Sequence, residues 1–284
     1  MTPSRFTAAL ALGVLLLAGG QAVRAAQEAP APAPVNLTPE QMEKFLLEAK
    51  VVKTRSAGNG VTNSTRVTLS DGQLTHDAHV QTIDEARTTF EAGKASEINF
   101  KDSYRYNIAG YRLGRLLGLN VPMSVERTVN GKTAAVTWWI DDVAMDEESR
   151  VKNKRSAPDQ PRFRRQIQTM RIFDELIQNK DRNQGNIVWT KDWNMWMIDH
   201  TRAFRLRTDL LNPQQLERCD RMLLTKLRGL TRDTLTAAVG TSLTKDEVSS
   251  LLARRDKIVK LYEKRIADLG ESAVFYADPV PATN

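Results

Sequence analysis

The sequence predicts an α+β fold in which strands dominate the first half and helices the second. Residues Val51 to Asp84 show a pattern of short extended runs separated by turns. Asn130-Gly131, between two further extended runs, is a strong signal for a β-hairpin. After Arg205 the pattern is largely helical. We therefore expect a small sheet-containing part followed by a mostly helical part.

Composition favours a globular protein. The chain has 284 residues, of which 41% are hydrophobic and 26% charged, enough for one or two domains with a sizeable core. The formal net charge is +7, but 34 acidic residues are interspersed with 41 basic ones. No common nucleic-acid-binding motif is present, so nucleic acid is not an expected partner. Cys219 is the sole cysteine, which excludes an internal disulfide and leaves stability to the core.

Residues 1–25 have the pattern of a secretory signal peptide. Arg5 supplies the positive charge, and Ala8 to Ala18 is an apolar run too short to span a bilayer comfortably. Val23-Arg24-Ala25 places small residues at the two cleavage positions. We expect cleavage near Ala25, a periplasmic or extracellular location and no transmembrane anchor after processing. The alternative is an uncleaved amphiphilic anchor.

The chain after the signal begins with a linker and a capped helix. Residues 26–37 are rich in alanine and proline and predict an extended, mobile linker. Thr38 is the expected helix cap, Pro39 fits the first turn and Gln41 completes a capping box.

Further elements follow from local pattern. Tyr104 to Leu119 predicts a helix ended by Gly118, and Thr133 to Asp142 predicts a strand. Residues 146–165 are charged, contain two prolines and predict a loop, for which a solvated face is a simpler interpretation than a surface for an acidic substrate. Other expected elements are an amphipathic helix over Gln166 to Asn179, helices starting at Asn212-Pro213 and at Thr244, and a loose tail over residues 275–284.

The main candidate site lies between Gln178 and Arg205. Asn186 follows Asp181 by five residues, and Asp199 comes thirteen residues later. Two short apolar runs between Asn186 and Asp199 flank a turn, so a hairpin would bring these two residues to the same end. Carboxylate and amide oxygens suit Mg²⁺, which commonly shares its ligands with substrate phosphates. The alternative is that all three are turn and cap residues of an ordinary hairpin.

This spacing resembles that of protein kinases, in which a catalytic Asp precedes a metal-binding Asn and a second metal-binding Asp follows a hairpin. The stretch looks most like atypical kinases: the phosphatidylinositol 3-/4-kinase-like group, the actin-fragmin kinase and the secreted Golgi casein kinase family. The resemblance implies a two-lobed protein-kinase-like fold with a small β-rich N-lobe over 38–145, containing one main helix, and a mostly helical C-lobe over 146–274. It implies ATP as nucleotide, Asp181 as the catalytic residue, Asn186 and Asp199 as ligands of Mg²⁺ or Mn²⁺, and Arg182 as a support. Asn183 departs from the Asp-Arg-His motif of these families, in which His occupies the third position.

The segment from Tyr104 to Val125 also resembles the secreted casein kinase family. By that resemblance, Trp139 and Ile140 would lie near the hinge that holds adenine. Residues 58–64 form a glycine-containing loop between extended segments, and the free backbone N–H groups of Gly58 and Gly60 can hold phosphates at the head of a kinase-like small lobe. The alternative for the two glycines is an ordinary hairpin turn. The alternative for Trp138 and Trp139 is core packing.

The chain departs from the family at an ion pair. Gln81 stands where a Lys is expected and Asn107 where its Glu partner is expected. Two amides can hydrogen-bond without leaving a buried charge, but a neutral Gln cannot balance phosphate charge. The candidate replacement cations are Lys101, Arg105 and Arg66.

A separate histidine pair is a weaker metal candidate. His76 and His79 have a possible ligand spacing, but no suitable third ligand lies nearby in the sequence. We expect both to be polar residues at a strand edge.

Two functions remain open. The first is an exported ATP-dependent phosphotransferase with a protein, glycan or lipid acceptor, and the second is a pseudokinase-like binding protein with little or no catalysis. A third, weaker alternative is a basic surface that binds an anionic polymer.

Overall fold

The structure, a computed structural model, describes residues 37–56, 65–92 and 95–276. The expected signal and most of the linker, the glycine loop with Gly58 and Gly60, and residues 277–284 lie outside the described residues.

A five-stranded antiparallel sheet forms the first part of the fold. Its strand order is β1-β2-β3-β7-β6, and helix α1 packs on one face. The elements are α1 (Pro39–Glu48), β1 (Lys50–Ser56), β2 (Thr65–Ser70), β3 (Thr75–Gln81), β6 (Ser124–Val129) and β7 (Lys132–Trp138). The capping box predicted for Thr38 and Gln41 is confirmed. Phe45 and Leu46 of α1 pack with Ala78 and Val80 of β3, so the neighbouring β3 residues point to the opposite face.

A separate hairpin and a helix connect the two parts of this sheet. The hairpin consists of β4 (Asp84–Ala92) and β5 (Ala95–Ser103), which form a two-stranded sheet of their own, and helix α2 (Arg105–Leu117) follows. Gly118 ends α2 with a φ of 75°, as predicted, because glycine tolerates the left-handed conformation. The local sequence pattern predicted no element between residues 85 and 103.

The connection to the helical part corrects two predictions. Strand β7 ends at Trp138 rather than Asp142, and residues 139–142 lead to β8 (Val143–Asp146). The predicted loop over 146–165 is wrong, since it contains α3 (Glu147–Lys152) and the start of α4 (Gln160–Ile177). Asp159 caps α4 and Pro161 lies in its first turn, where proline is compatible with a helix. Pro158 and Pro161 therefore lie at the start of a helix and do not exclude one.

The second part is mostly helical around a small sheet. Strands β9 (Ile187–Thr190) and β10 (Met195–Met197) pair with β8 in the order β10-β9-β8. The helices are α5 (Arg221–Gly229), α6 (Arg232–Val239), α7 (Lys245–Leu269) and α8 (Glu271–Val274). The predicted cap at Thr244 is confirmed, with Glu247 completing a capping box. Asn212-Pro213, however, opens only a three-residue 3₁₀ turn, Pro213–Gln215.

The end of the described chain is anchored. Phe275 is buried and forms a backbone bridge with Cys219, so the predicted loose tail does not begin at residue 275. Cys219 is a buried free thiol. Within the described ranges, no helix is long and apolar enough to cross a membrane.

Candidate functional site

The β9–β10 hairpin brings Asn186 and Asp199 to its open end, as predicted. Ile187 pairs with Met197, and the Ile198 backbone N–H donates to the Asn186 carbonyl at 3.1 Å. Asp199 therefore follows directly after the last backbone contact of the hairpin. Its φ of 52° is unusual for a residue with a Cβ. The Asp199 carboxylate accepts hydrogen bonds from the Thr201 backbone N–H at 3.3 Å and hydroxyl at 3.0 Å, which orient it.

Asp181 lies beside Asn186. The Asn186 side-chain nitrogen donates to the Asp181 carbonyl at 3.1 Å, which leaves the amide oxygen on the other side as a cation ligand. The Asp181 side chain is 41% exposed, and Arg202 Nη1 lies 3.6 Å from its carboxylate. An accessible carboxylate in this position can meet an incoming hydroxyl group.

Arg182 holds the loop between these residues. Its guanidinium pairs with Asp174 and donates to the carbonyls of Asn186 at 2.9 Å and Ile198 at 2.6 Å. A further contact at 3.1 Å joins it to His200 Nε2, and its side chain is only 7% exposed. One planar group thus fixes the segments before and after the hairpin relative to each other.

His200 is buried between three elements. Its ring meets Phe173 edge-on, and a Cβ added to Gly110 would lie only 3.1 Å from its Cγ. Burial, together with the neighbouring Arg182 charge, holds the pKa of His200 well below its usual range, so the folded protein carries a neutral imidazole. A buried neutral ring in these contacts indicates a structural role for His200.

Asn107 connects α2 to the same loop. Its side-chain oxygen accepts a hydrogen bond from the His200 backbone N–H at 2.7 Å. The amide at the position of the expected Glu therefore ties the helix to the residue that follows Asp199.

Gln81 lies on the β3 face opposite α1, together with Asp77 and His79. It is 2% exposed. Burial lowers the pKa of His79, and the nearby negative charge of Asp199 opposes that shift. Gln81 therefore shares its face of the sheet with His79.

The candidate replacement cations all have carboxylate partners. Lys101 Nζ lies 2.7 Å from Glu247, an ion pair that directs it toward α7. Arg66 pairs with Asp77 at 2.5 Å and covers the Trp139 ring at 4.0 Å, and Arg105 pairs with Asp84 at 3.6 Å. Each of these cations is already partly neutralised.

The two hinge candidates lie in the segment that joins the five-stranded sheet to β8. Trp139 and Ile140 are half-buried there, and so is Trp138, which is stacked on His76 at 3.7 Å. The tryptophans are therefore not fully buried core residues. His76 and His79 are three residues apart on a central strand, so they point to opposite faces and do not form an edge pair.

Three residues near the site were not predicted from the sequence: Asp102, Thr201 and Arg202. The Ser103 N–H donates to the Thr201 carbonyl at 2.8 Å, which joins β5 to the loop after Asp199. A signal existed, since Asp102 follows the apolar Phe100 by two residues and so shares its buried face. Because the β4–β5 hairpin was not predicted, the alternation of Phe100 and Asp102 could not be recognised as one face of a strand.

The donor set suits a hard cation that also binds phosphate. Within the described parts of the chain, no three His, Cys, Asp or Glu side chains converge as a metal site. The candidate ligands are instead one amide oxygen from Asn186 and the Asp199 carboxylate, to which phosphate oxygens would be added.

Comparison with solved structures identifies the fold. No protein-family model matches the chain, and no curated protein matches it significantly. A hydra Fam20 solved with sugar matches with a TM-score of 0.66 and 16% identity, covering 85% of this chain and 93% of that one. A Golgi casein kinase with Mn and ADP bound matches with a TM-score of 0.62 and 14% identity, covering 84% and 80%.

A bacterial kinase matches as well. The Helicobacter pylori proinflammatory kinase CtkA has a TM-score of 0.51 and 12% identity, covering 79% of this chain and 97% of that one. The chain therefore has the two-lobed fold of atypical kinase-like proteins, with a small β-rich N-lobe and a mostly helical C-lobe.

Proposed function

We propose that this protein is an exported, atypical kinase-like phosphotransferase that moves the γ-phosphate of ATP to a hydroxyl acceptor with Mg²⁺ or Mn²⁺. The observation that carries the proposal is the position of Asp181, Asn186 and Asp199 at the open end of one hairpin, with Asn107 of the N-lobe helix bonded to the residue after Asp199. A fold shared with a Golgi casein kinase solved with Mn and ADP supports the choice of ligands.

Each residue has a role that its surroundings permit. Asp181, which is partly exposed, orients the acceptor hydroxyl and takes its proton. Asn186 and Asp199 hold the divalent cation, which neutralises phosphate charge when bound. Arg182 and Asn107 act by positioning, since they fix the loop on both sides of Asp199.

The acceptor and the compartment belong to the same proposal. A protein, a glycan or a lipid hydroxyl would each serve the chemistry, because phosphoryl transfer depends mainly on positioning and charge. The signal-like pattern of residues 1–25 supports export to the periplasm or the exterior.

A pseudokinase-like binding protein is the second candidate. Its support is the neutral Gln81 at the Lys position, combined with carboxylate partners for Lys101, Arg66 and Arg105. Such a protein would bind nucleotide weakly and transfer no phosphate.

Formation of ADP from ATP separates the two candidates, because water can replace an unknown acceptor. The wild-type protein with ATP and Mn²⁺ is expected to release ADP, and Asp181→Asn should remove most of this activity while still binding nucleotide. Asp192→Asn, in the exposed hairpin turn, is the control and should match wild type. Metal-dependent nucleotide binding without ADP release or phosphate transfer to any hydroxyl acceptor would support the pseudokinase alternative and overturn the phosphotransferase.

A further inference from the structure

Asp102, the penultimate residue of β5, carries a buried carboxylate oxygen without a hydrogen-bond donor. The residue is 7% exposed, and its Oδ1 has no hydrogen-bond partner among the residues that the structure describes. Burial of an ionised carboxylate is costly unless charges or donors compensate it. This oxygen therefore indicates a group that is added to the folded protein.

The Thr201 hydroxyl interacts with both the Asp199 and the Asp102 carboxylates. Thr201 Oγ1 donates to Asp199 Oδ1 at 3.0 Å and is also within hydrogen-bonding reach of Asp102. A hydroxyl carries one proton and cannot serve both carboxylates at once. The backbone bond from Ser103 N–H to the Thr201 carbonyl at 2.8 Å fixes this arrangement.

The charges around Asp102 are those of the candidate site. Burial raises the pKa of Asp102, and the negative charges of Asp199 and Asp181 raise it further, whereas the Thr201 hydrogen bond and Arg202 lower it. Asp199 and Asp181 are the carboxylates assigned to metal binding and catalysis, and the backbone bond between Ser103 and Thr201 places Asp102 beside the loop that carries Asp199. A divalent cation between Asp102 and Asp199 would relieve their repulsion and satisfy the unpartnered oxygen.

We infer that Asp102 is a further ligand of the divalent cation at Asp199, so that two carboxylates from the two lobes and the Asn186 amide hold it. The inference rests on the proposed function and adds a ligand to its site. It also compensates for the positive charge that is missing at Gln81, because a cation held by two carboxylates is retained more strongly beside the phosphates.

The test is a Mn²⁺ titration of the full-length protein, alone and with ATP, followed by electron paramagnetic resonance of free Mn²⁺. Asp102→Asn keeps the shape and removes the charge, and it should weaken Mn²⁺ binding by about tenfold or more. Asp84→Asn is the matched control, because Asp84 lies beside Ser103 on the same hairpin but has donors from Ser103 and Arg105. This control should bind Mn²⁺ as wild type does.

A second readout excludes a merely structural role. In EDTA, Asp102→Asn should melt at a higher temperature than wild type, because it removes a buried negative charge that is repelled by Asp199 and Asp181, and its melting temperature should respond less to Mn²⁺. If Asp102→Asn does not fold, Asp102→Ser serves the same comparison.

The outcomes distinguish the role of Asp102 as a metal ligand from the proposed phosphotransferase function. Equal Mn²⁺ binding by wild type and Asp102→Asn, with binding lost in Asp199→Asn, would overturn the role of Asp102 and leave the proposed function standing. Absence of Mn²⁺ binding in wild type, both alone and with ATP, would overturn both.

Discussion

The side-chain oxygen of Asn107 accepts a hydrogen bond from the backbone N–H of His200 at 2.7 Å. The two residues are 93 positions apart in the chain, and both are buried. The contact joins the main N-lobe helix to the residue after Asp199. The position of the helix and the position of the candidate metal ligand are therefore coupled.

Replacement of Asn107 tests this coupling. Asn107→Ala leaves the His200 N–H buried without an acceptor and should lower the free energy of unfolding by about 1–3 kcal/mol. Urea unfolding followed by circular dichroism measures the change. Asn153→Ala, at the exposed end of α3, is the control and should cost less. Equal losses in the two variants would show that the contact to His200 contributes nothing specific.

Restoration of the family's ion pair tests the alignment of Gln81 with Asn107. Gln81→Lys alone places an ammonium at a position that is 2% exposed and should be destabilising. With Asn107→Glu added, the loss should be smaller than the sum of the single variants, with a coupling of about 1 kcal/mol or more. The double variant should also bind ATP more tightly than wild type. Additive losses, measured by the same urea unfolding, would place the two side chains apart.

Arg182 should tolerate no substitution. Lysine keeps the charge but cannot reproduce the planar contacts to Asp174, Asn186 O and Ile198 O, so Arg182→Lys should cost about 3 kcal/mol or more. Denaturant unfolding measures the loss, with the exposed Arg164→Lys as control. Near-identical stability of the two variants would contradict the assigned role.

Glu247 should contribute to stability in a pH-dependent way. Burial raises its pKa, but hydrogen bonds from Lys101, Tyr106 and the Thr244 backbone outweigh that effect and hold the pKa below its usual 4.5. The unfolded chain therefore takes up this proton at higher pH than the folded one, and the stabilisation present above 4.5 is lost as the pH falls below it. The stability difference between wild type and Glu247→Gln should shrink over that range. The exposed Glu148→Gln should show no such trend, and a difference for Glu247→Gln that is constant with pH would refute the linkage.

Local signals predicted much of the fold. The caps at Thr38 and Thr244, the helix end at Gly118 and the β9–β10 hairpin all follow from residues within a few positions of each other. The juxtaposition of Asn186 and Asp199 followed from that hairpin, because strand pairing fixes which residues share an end.

Contacts between distant segments could not be read in this way. Lys101 was expected near phosphate but pairs with Glu247, 146 residues away on α7. The acceptor role of Asn107 toward His200 likewise depends on the packing of α2 against the loop after β10. Asp102 stayed unrecognised because the β4–β5 hairpin was not predicted, so the alternation of Phe100 and Asp102 could not be assigned to one face of a strand.

A thermal-shift titration with ATP, with and without Mn²⁺ or Mg²⁺, tests the nucleotide and metal site most directly. A ligand that binds only the folded state raises the melting temperature by mass action. We predict a metal-dependent rise for wild type and for the turn variant Asp192→Ala, and none for Asp199→Ala, whose fold should remain intact in the absence of ligand. No rise in wild type with either metal, or an undiminished rise in Asp199→Ala, would contradict the assignment of this site.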